Sequence, residues 1–160
     1  MTMSETDKRL AELGIELPQP PVSSPLAEYV TVKRKGDLLF LSGVWPSRNG
    51  SPWIKGRMVS DLKHETGYEA ARIAGLNALS LIREALGSLD EVDEMLKVVG
   101  YIASDDDFYD QHMILNGAAH LFRDVFGDRG SHVCTPVGVN VLPFGVPVML
   151  DIVVAVKRKG

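Results

Sequence analysis

Residues 132–158 read HVCTPVGVNVLPFGVPVMLDIVVAVKR, two extended runs joined by Leu142-Pro143-Phe144-Gly145. One acid, Asp151, and the chain's only cysteine, Cys134, sit among apolar residues. A carboxylate in a strand that is apolar on both faces needs a specific solvating partner. Asp151 is therefore a candidate for chemistry or for ligand recognition.

Upstream of this pair, Phe108 to Phe126 carries Ile114, Leu115, Ala118, Leu121, Phe122 and Val125 at helical spacing. Asp105-Asp106-Asp107 places negative charge at its entrance, where the helix dipole favours it, and Gly127-Asp128-Arg129-Gly130 ends it. Met95 to Ser104 reads as a strand. His64 to Leu86 is a helix with Ala71, Ala74, Ala78, Ile82 and Ala85 on one thin face suited to a sheet, and Gly87 fits its C-terminal cap. Tyr29 to Arg34 and Leu38 to Gly43 form a hairpin across Gly36-Asp37, and Trp53 to Val59 reads as a third, short strand. The proline-rich stretch from Leu17 to Pro25 fits neither helix nor central strand and is an extended surface lead-in. A short helix over Ser4 to Leu13, capped by Ser4, precedes it.

The order β-β-(β)-α-β-α-β-β predicts an α+β fold, a mixed sheet with two helices packed on one face. Residues 1–28 form an N-terminal extension and residues 29–160 a single domain. Val139, Val141, Val148, Leu150, Ile152 and Val154 cannot all point at two helices, so the other face is expected to meet a second subunit.

The chain has 160 residues, 45% hydrophobic and 24% charged, with a formal net charge of −4. That balance is ordinary for a globular protein and argues against a general nucleic-acid or anionic-membrane surface. The basic runs Lys33-Arg34-Lys35 and Lys157-Arg158-Lys159 read as solvated strand ends, with an RNA path as the other use. No run reaches the ~18 apolar residues of a membrane span. The lone cysteine excludes an intrachain disulfide and fits a reducing compartment. No signal-peptide pattern opens the chain, so a cytoplasmic location is expected. His64, His112, His120 and His132 lack metal-ligand spacing; His112 and His120 lie about 80° apart around a helix axis. No metal or cofactor is expected.

Across residues 29–158 several motifs occur together: Tyr29-Val30 opening the first strand, Ser42-Gly43-Val44-Trp45-Pro46, Asn116 within the second helix, Leu142-Pro143, and an acid in the last strand. In this order they resemble the YjgF/YER057c/UK114 family, also called Rid or L-PSP endoribonuclease-like proteins. Phe108-Tyr109-Asp110-Gln111, Asn116-Gly117-Ala118 and Val125-Phe126-Gly127 are similar to a longer branch of it. The resemblance implies a homotrimer of chorismate-mutase-like subunits whose inner sheets form a barrel, with a small-metabolite cleft at each subunit interface. It also implies hydrolysis of enamines and imines, such as 2-aminoacrylate, to a keto acid and ammonia. A non-catalytic metabolite-binding trimer is the alternative, and ribonuclease action a third.

Carried over by position, Asp151 falls where the family has a glutamate that positions or activates the attacking water. Tyr29, Ser42, Gly43 and Asn116 fall at substrate-contacting positions. Cys134 stands where deaminase members bind the substrate carboxylate with an arginine. A thiol offers one weak donor and no charge, against a fixed fork of guanidinium donors. Arg57 is a candidate replacement. Each position also has an ordinary use: Asp151 in an ion pair, Tyr29 as a strand tyrosine, Gly43 as a strand end, Asn116 in helix packing. Cys134 would then be a small apolar cleft residue, although His132, two residues earlier on the same strand face, would favour a reactive thiol.

Overall fold

The alanines at 70, 71, 74 and 78 are buried to zero exposure and let one long helix, α2 (His64–Leu86), lie close against the sheet. Gly87 closes it in the left-handed region at φ 84°. In the computed structural model, which describes residues 2–159, α2 shares the sheet's covered face with α3 (Gln111–Phe126). The strands are β1 (Val32–Lys35), β2 (Leu38–Leu41), β5 (Val92–Ala103), β6 (Val133–Val139) and β7 (Val148–Val156). The two-residue strands β3 (Ser47–Arg48) and β4 (Ser51–Pro52) pair separately. The main sheet has the order β1-β2-β7-β5-β6. Only β5 and β6 run parallel, the connection that α3 provides.

β7 alternates strictly. Val148, Leu150, Ile152, Val154 and Val156 are buried, whereas Met149, Val153 and Ala155 are partly exposed and Asp151 is exposed. Val148, Leu150, Ile152 and Val154 all point into the helix-covered core; of the six residues expected not to fit there together, it is Val141 that lies exposed, with Val139 half-buried. A strand apolar on both faces carries no periodic signal to say which set is inside. The uncovered face is built instead from Leu38 and Phe40 of β2, Lys97, Val99 and Tyr101 of β5, Met149, Asp151 and Val153 of β7, and Val133, Thr135 and Val137 of β6. It is mostly apolar and open to solvent on a single subunit.

The segment Trp53 to Val59 is not a strand. Gly56 and Val59 take positive φ (133° and 80°), which no continuous strand sustains. Met58 alone bridges to Leu62 and Ser104 and is fully buried. α3 begins at Gln111, later than expected, because residues 105–109 turn before it; Asp105 lies 3.8 Å from Arg57 rather than at the helix entrance.

The N-terminal residues are attached to the domain. α1 (Glu5–Glu12) starts on its Ser4 cap, whose hydroxyl accepts from the Asp7 amide, and buries Leu10. A second acceptor comes from far along the chain: the Asp90 carboxylate takes the Glu5 amide at 3.1 Å, the Thr6 amide at 2.8 Å and the Thr6 hydroxyl at 2.6 Å. Burial alone would push this carboxyl up. The Thr6 hydroxyl, the Thr6 and Glu5 amides and the Lys157 charge together outweigh it, so its pKa lies below the ordinary 3.8. A carboxyl with a depressed folded pKa stabilises the fold above its unfolded value, and that contribution is lost as pH falls through the folded value. Asp90→Ala is expected to cost about 1–2 kcal/mol. It should also lower the hydrogen-exchange protection of α1 at neutral pH to that of the wild type once the pH is below the folded value, each taken relative to the intrinsic rate at its own pH. Unchanged α1 protection in the variant would exclude this clasp.

Candidate functional site

The sequence candidates fall into three places on one subunit. The first is a groove of about 360 Å³ at the end of β2, lined by Tyr29, Thr31, Ser42, Gly43, Trp45, Phe144 and the lead-in residues Pro21 to Pro25. Ser42 serves here as a clamp: its amide donates to Thr31 O at 2.8 Å and its hydroxyl to Val30 O at 2.5 Å. This pins the segment that carries Tyr29, which is two-thirds exposed. Gly43 also has a packing role, since a Cβ there would meet Met149 Sδ at 2.6 Å. The Cβ side of Gly43 is thus taken by Met149 within the subunit, while the residue still lines the groove.

Two aromatic rings that the sequence did not single out complete this groove. Trp45 and Phe144 stack with centroids 4.7 Å apart, and Phe144 holds φ 64°, a left-handed conformation unusual for a bulky residue. The buried Asn77 supports them, its amide donating to Trp45 O, Ser47 O and Ser47 Oγ, each at 3.1 Å. The signal for Asn77 was a polar residue inside the alanine-rich stripe of α2.

The second place is a groove of about 340 Å³ between α3 and the edge strand β6, lined by His112, Asn116, Arg123, His132, Cys134 and Pro136 over a floor that includes Val98 and Leu115. Asn116 and Cys134 therefore do meet. Partial burial pushes the Cys134 thiol pKa above its ordinary value, with no opposing influence from His132. That imidazole is engaged elsewhere, its Nδ1 lying 2.9 Å from Gly130 O and its ring packing edge-on against Phe122. The arrangement opposes a nucleophilic thiol, since the thiolate is the reactive form.

The third place is Asp151 itself. Its register partner on β5 is Val99, which in turn faces Thr135 on β6. The Val44–Leu150 bridge brings Gly43 to its other flank. The carboxylate is on the uncovered sheet face, exposed, and makes no side-chain hydrogen bond or ion pair among the described residues. The expectation that it is embedded among apolar groups on both sides is corrected for the single subunit. Cys134 pairs with Val98, a position of the helix-covered face. Asp151 and Cys134 therefore lie on opposite faces of the sheet, two strands or about 10 Å apart.

Arg57, the candidate raised from the sequence, is held away from Cys134 on this subunit. Its guanidinium donates to Ser104 O at 2.6 Å, beyond the far end of β5 from the Val98–Cys134 pair. His112 and His120 also diverge: His112 lines the α3–β6 groove, and His120 lies 2.9 Å from the Tyr68 hydroxyl. The two basic runs converge at one corner, where Lys157 N donates to Glu91 O and Arg158 pairs with Asp37 at 2.7 Å. Among the described residues no helix is long and apolar enough to cross a membrane.

Relatives share this architecture. Protein TCP17 of Trypanosoma cruzi is 35% identical over 150 residues, covering 93% of this chain and 92% of TCP17. The crystal structure of Atu1372 from Agrobacterium tumefaciens, a protein of unknown function, is 33% identical with a TM-score of 0.86, covering 95% of this chain and 93% of that one. Escherichia coli TdcF, solved with bound serine, is 21% identical with a TM-score of 0.61 over 89% of this chain and 97% of its own. The family model described as "YjgF/chorismate mutase-like, putative endoribonuclease" matches residues 7–154, which takes in most of α1, both long helices and the whole sheet except the last two residues of β7. With its mixed sheet, its two helices on one face and these matches, the chain belongs to the YjgF/Rid family.

Proposed function

We propose that the chain works as a homotrimer that holds a small metabolite in clefts between subunits and hydrolyses enamines or imines there. The observation that supports this most is the division of the site. Tyr29, Ser42 and Gly43 line one open groove, Asn116 and Cys134 another, and Asp151 stands alone on a mostly apolar sheet face. A second copy covering that face would bury the apolar surface left by Leu38, Phe40, Val99 and Val153 and would also satisfy the exposed edge of β6. The same contact would bring groove residues of one subunit toward Asp151 of the next.

Imine hydrolysis adds water across C=N and then expels ammonia. Asp151 suits both proton movements: its carboxylate accepts a proton from the attacking water and returns it to nitrogen as the carbinolamine collapses to a carbonyl and ammonia. Exclusion of bulk water by the second subunit would strengthen that interaction. Tyr29, Trp45 and Phe144 would form an aromatic wall beside the reacting carbon. The serine bound to TdcF supports a small, polar metabolite as the ligand class. The test is native mass by light scattering together with ammonia release from enzymatically generated 2-aminoacrylate and from bulkier imines. The expected result is a trimer whose activity falls in Asp151→Ala. A monomer, or equal inactivity of wild type and variant on every substrate, overturns the proposal.

A further inference from the structure

We infer that Lys97 of β5 is the positioning partner of Asp151, its ammonium holding the carboxylate in place on the uncovered sheet face. The pairing takes effect only in the trimer proposed above and so rests on that reading. Lys97 lies in register with Val153, and Asp151 with Val99. The two residues are therefore diagonal neighbours on adjacent strands, roughly 7–8 Å apart at Cα and within reach of a long side chain.

A β-bulge decides which face Lys97 takes. Met95 pairs with Val154 and Lys97 with Val153, so Leu96 is the extra residue between them. Met95 and Val98 both point into the core, three residues apart where a regular strand alternates by two. Without the bulge Lys97 would stand opposite Ile152, which is fully buried. With it, the lysine joins the face of Asp151. Bulges of this kind re-aim side chains and are over-represented beside active sites.

The rest of the face offers Asp151 no other close cation. On β5, Tyr101 stands opposite Met149, and the acid Glu94 opposite Ala155 beyond Lys97. Lys33 and Lys35 of β1 lie opposite Phe40 and Leu38, two strands from β7. β6 brings only Val133, Thr135 and Val137 to this face, and on the Gly43 side the titratable groups are Glu28 and Tyr29. On one subunit Lys97 and Asp151 are both exposed and make no ion pair with each other within 4.0 Å, as suits a pair that water screens. A second copy over the face changes that. A carboxylate shut in among Phe40, Val99 and Val153 with no partner is driven to its neutral form, which cannot take a proton from water. A neighbouring ammonium keeps it charged, and its three donors fix which oxygen stays free for the water.

Two pH profiles of the full chain test this: kcat/KM for imine hydrolysis, and dissociation of the trimer on dilution, followed by light scattering. In Lys97→Met the acid limb of kcat/KM should move to higher pH by about one unit or more. Its trimer should also loosen as pH rises, because assembly then has to take up a proton at Asp151. Wild type and Lys97→Arg should show neither effect, and adding Asp151→Asn to Lys97→Met should abolish the pH dependence of assembly. Lys33→Met, on the same face but two strands from β7, should behave as the wild type. Asp151→Asn alone leaves Lys97 an amide oxygen to bond and Glu94 as a second partner, so its trimer should stay intact. An active trimer whose two profiles are the same in Lys97→Met as in wild type overturns the pairing and leaves the hydrolase standing. The dissociation signature without turnover in any form does the reverse, and a monomeric wild type overturns both.

Discussion

Gly117→Ala is expected to destabilise the chain by at least about 3 kcal/mol, the upper part of the overpacking range. A Cβ at Gly117 would sit 2.0 Å from Tyr68 O, 2.9 Å from Tyr68 C and 3.1 Å from Arg72 N. All three are backbone atoms of α2, so no side chain can swing aside; the helices would have to separate by more than an ångström. Alanine gains about 1 kcal/mol of helix propensity over glycine, too little to offset the loss of contact along two packed helices. Gly75→Ala is the control. Its Cβ would meet Leu121 Cδ2 at 3.0 Å, the end of a movable side chain, and the propensity gain should nearly cancel that strain. Urea unfolding with unchanged slope would read both. A midpoint for Gly117→Ala equal to wild type would show that the helix pair is looser than described. The loss is large against the 5–15 kcal/mol that typically holds a domain together.

The second large effect concerns chemistry. Asp151→Asn keeps the shape of the side chain and removes its ability to take a proton from water. If the carboxylate acts as proposed, the rate of imine hydrolysis should fall by about 10²–10⁴-fold, the usual contribution of a positioned general base. Because Asp151 is exposed and unbonded within its subunit, the melting temperature should hold. An unchanged rate would move the proton transfer to another group. A reduced rate accompanied by a fall in melting temperature would indicate that the side chain holds the assembly together instead.

The elements most legible in the sequence were those with a one-sided pattern. α2 ends at Leu86 as its alanine stripe and Gly87 indicate, and the Ser4 cap marks α1. Where both faces were apolar, the pattern gave out. In β7 the inward set could be told only once α2 and α3 were seen to cover Val148, Leu150, Ile152 and Val154. For the same reason Asp151 looked enclosed. Positions that depend on contacts between distant segments left even less trace: the Asp90 carboxylate reaches α1 across 84 residues. Ser42 and Gly43 were found by motif, but their immediate work, clamping Val30 and making room for Met149, is local packing.

The clasp on α1 also bears on how the mouth of the aromatic groove can change over time. From Leu13 the chain passes the Ser80 hydroxyl, which bonds Pro18 O at 2.6 Å, and then forms the outer wall of the aromatic groove at Pro21 to Pro25. That wall is tethered at its start yet contributes no strand and no core residue. Insertions or deletions between Pro18 and Tyr29 would widen or narrow the groove mouth while the sheet and helices kept their packing. If the groove holds ligand as proposed, the length of a surface strap would tune its selectivity independently of Asp151.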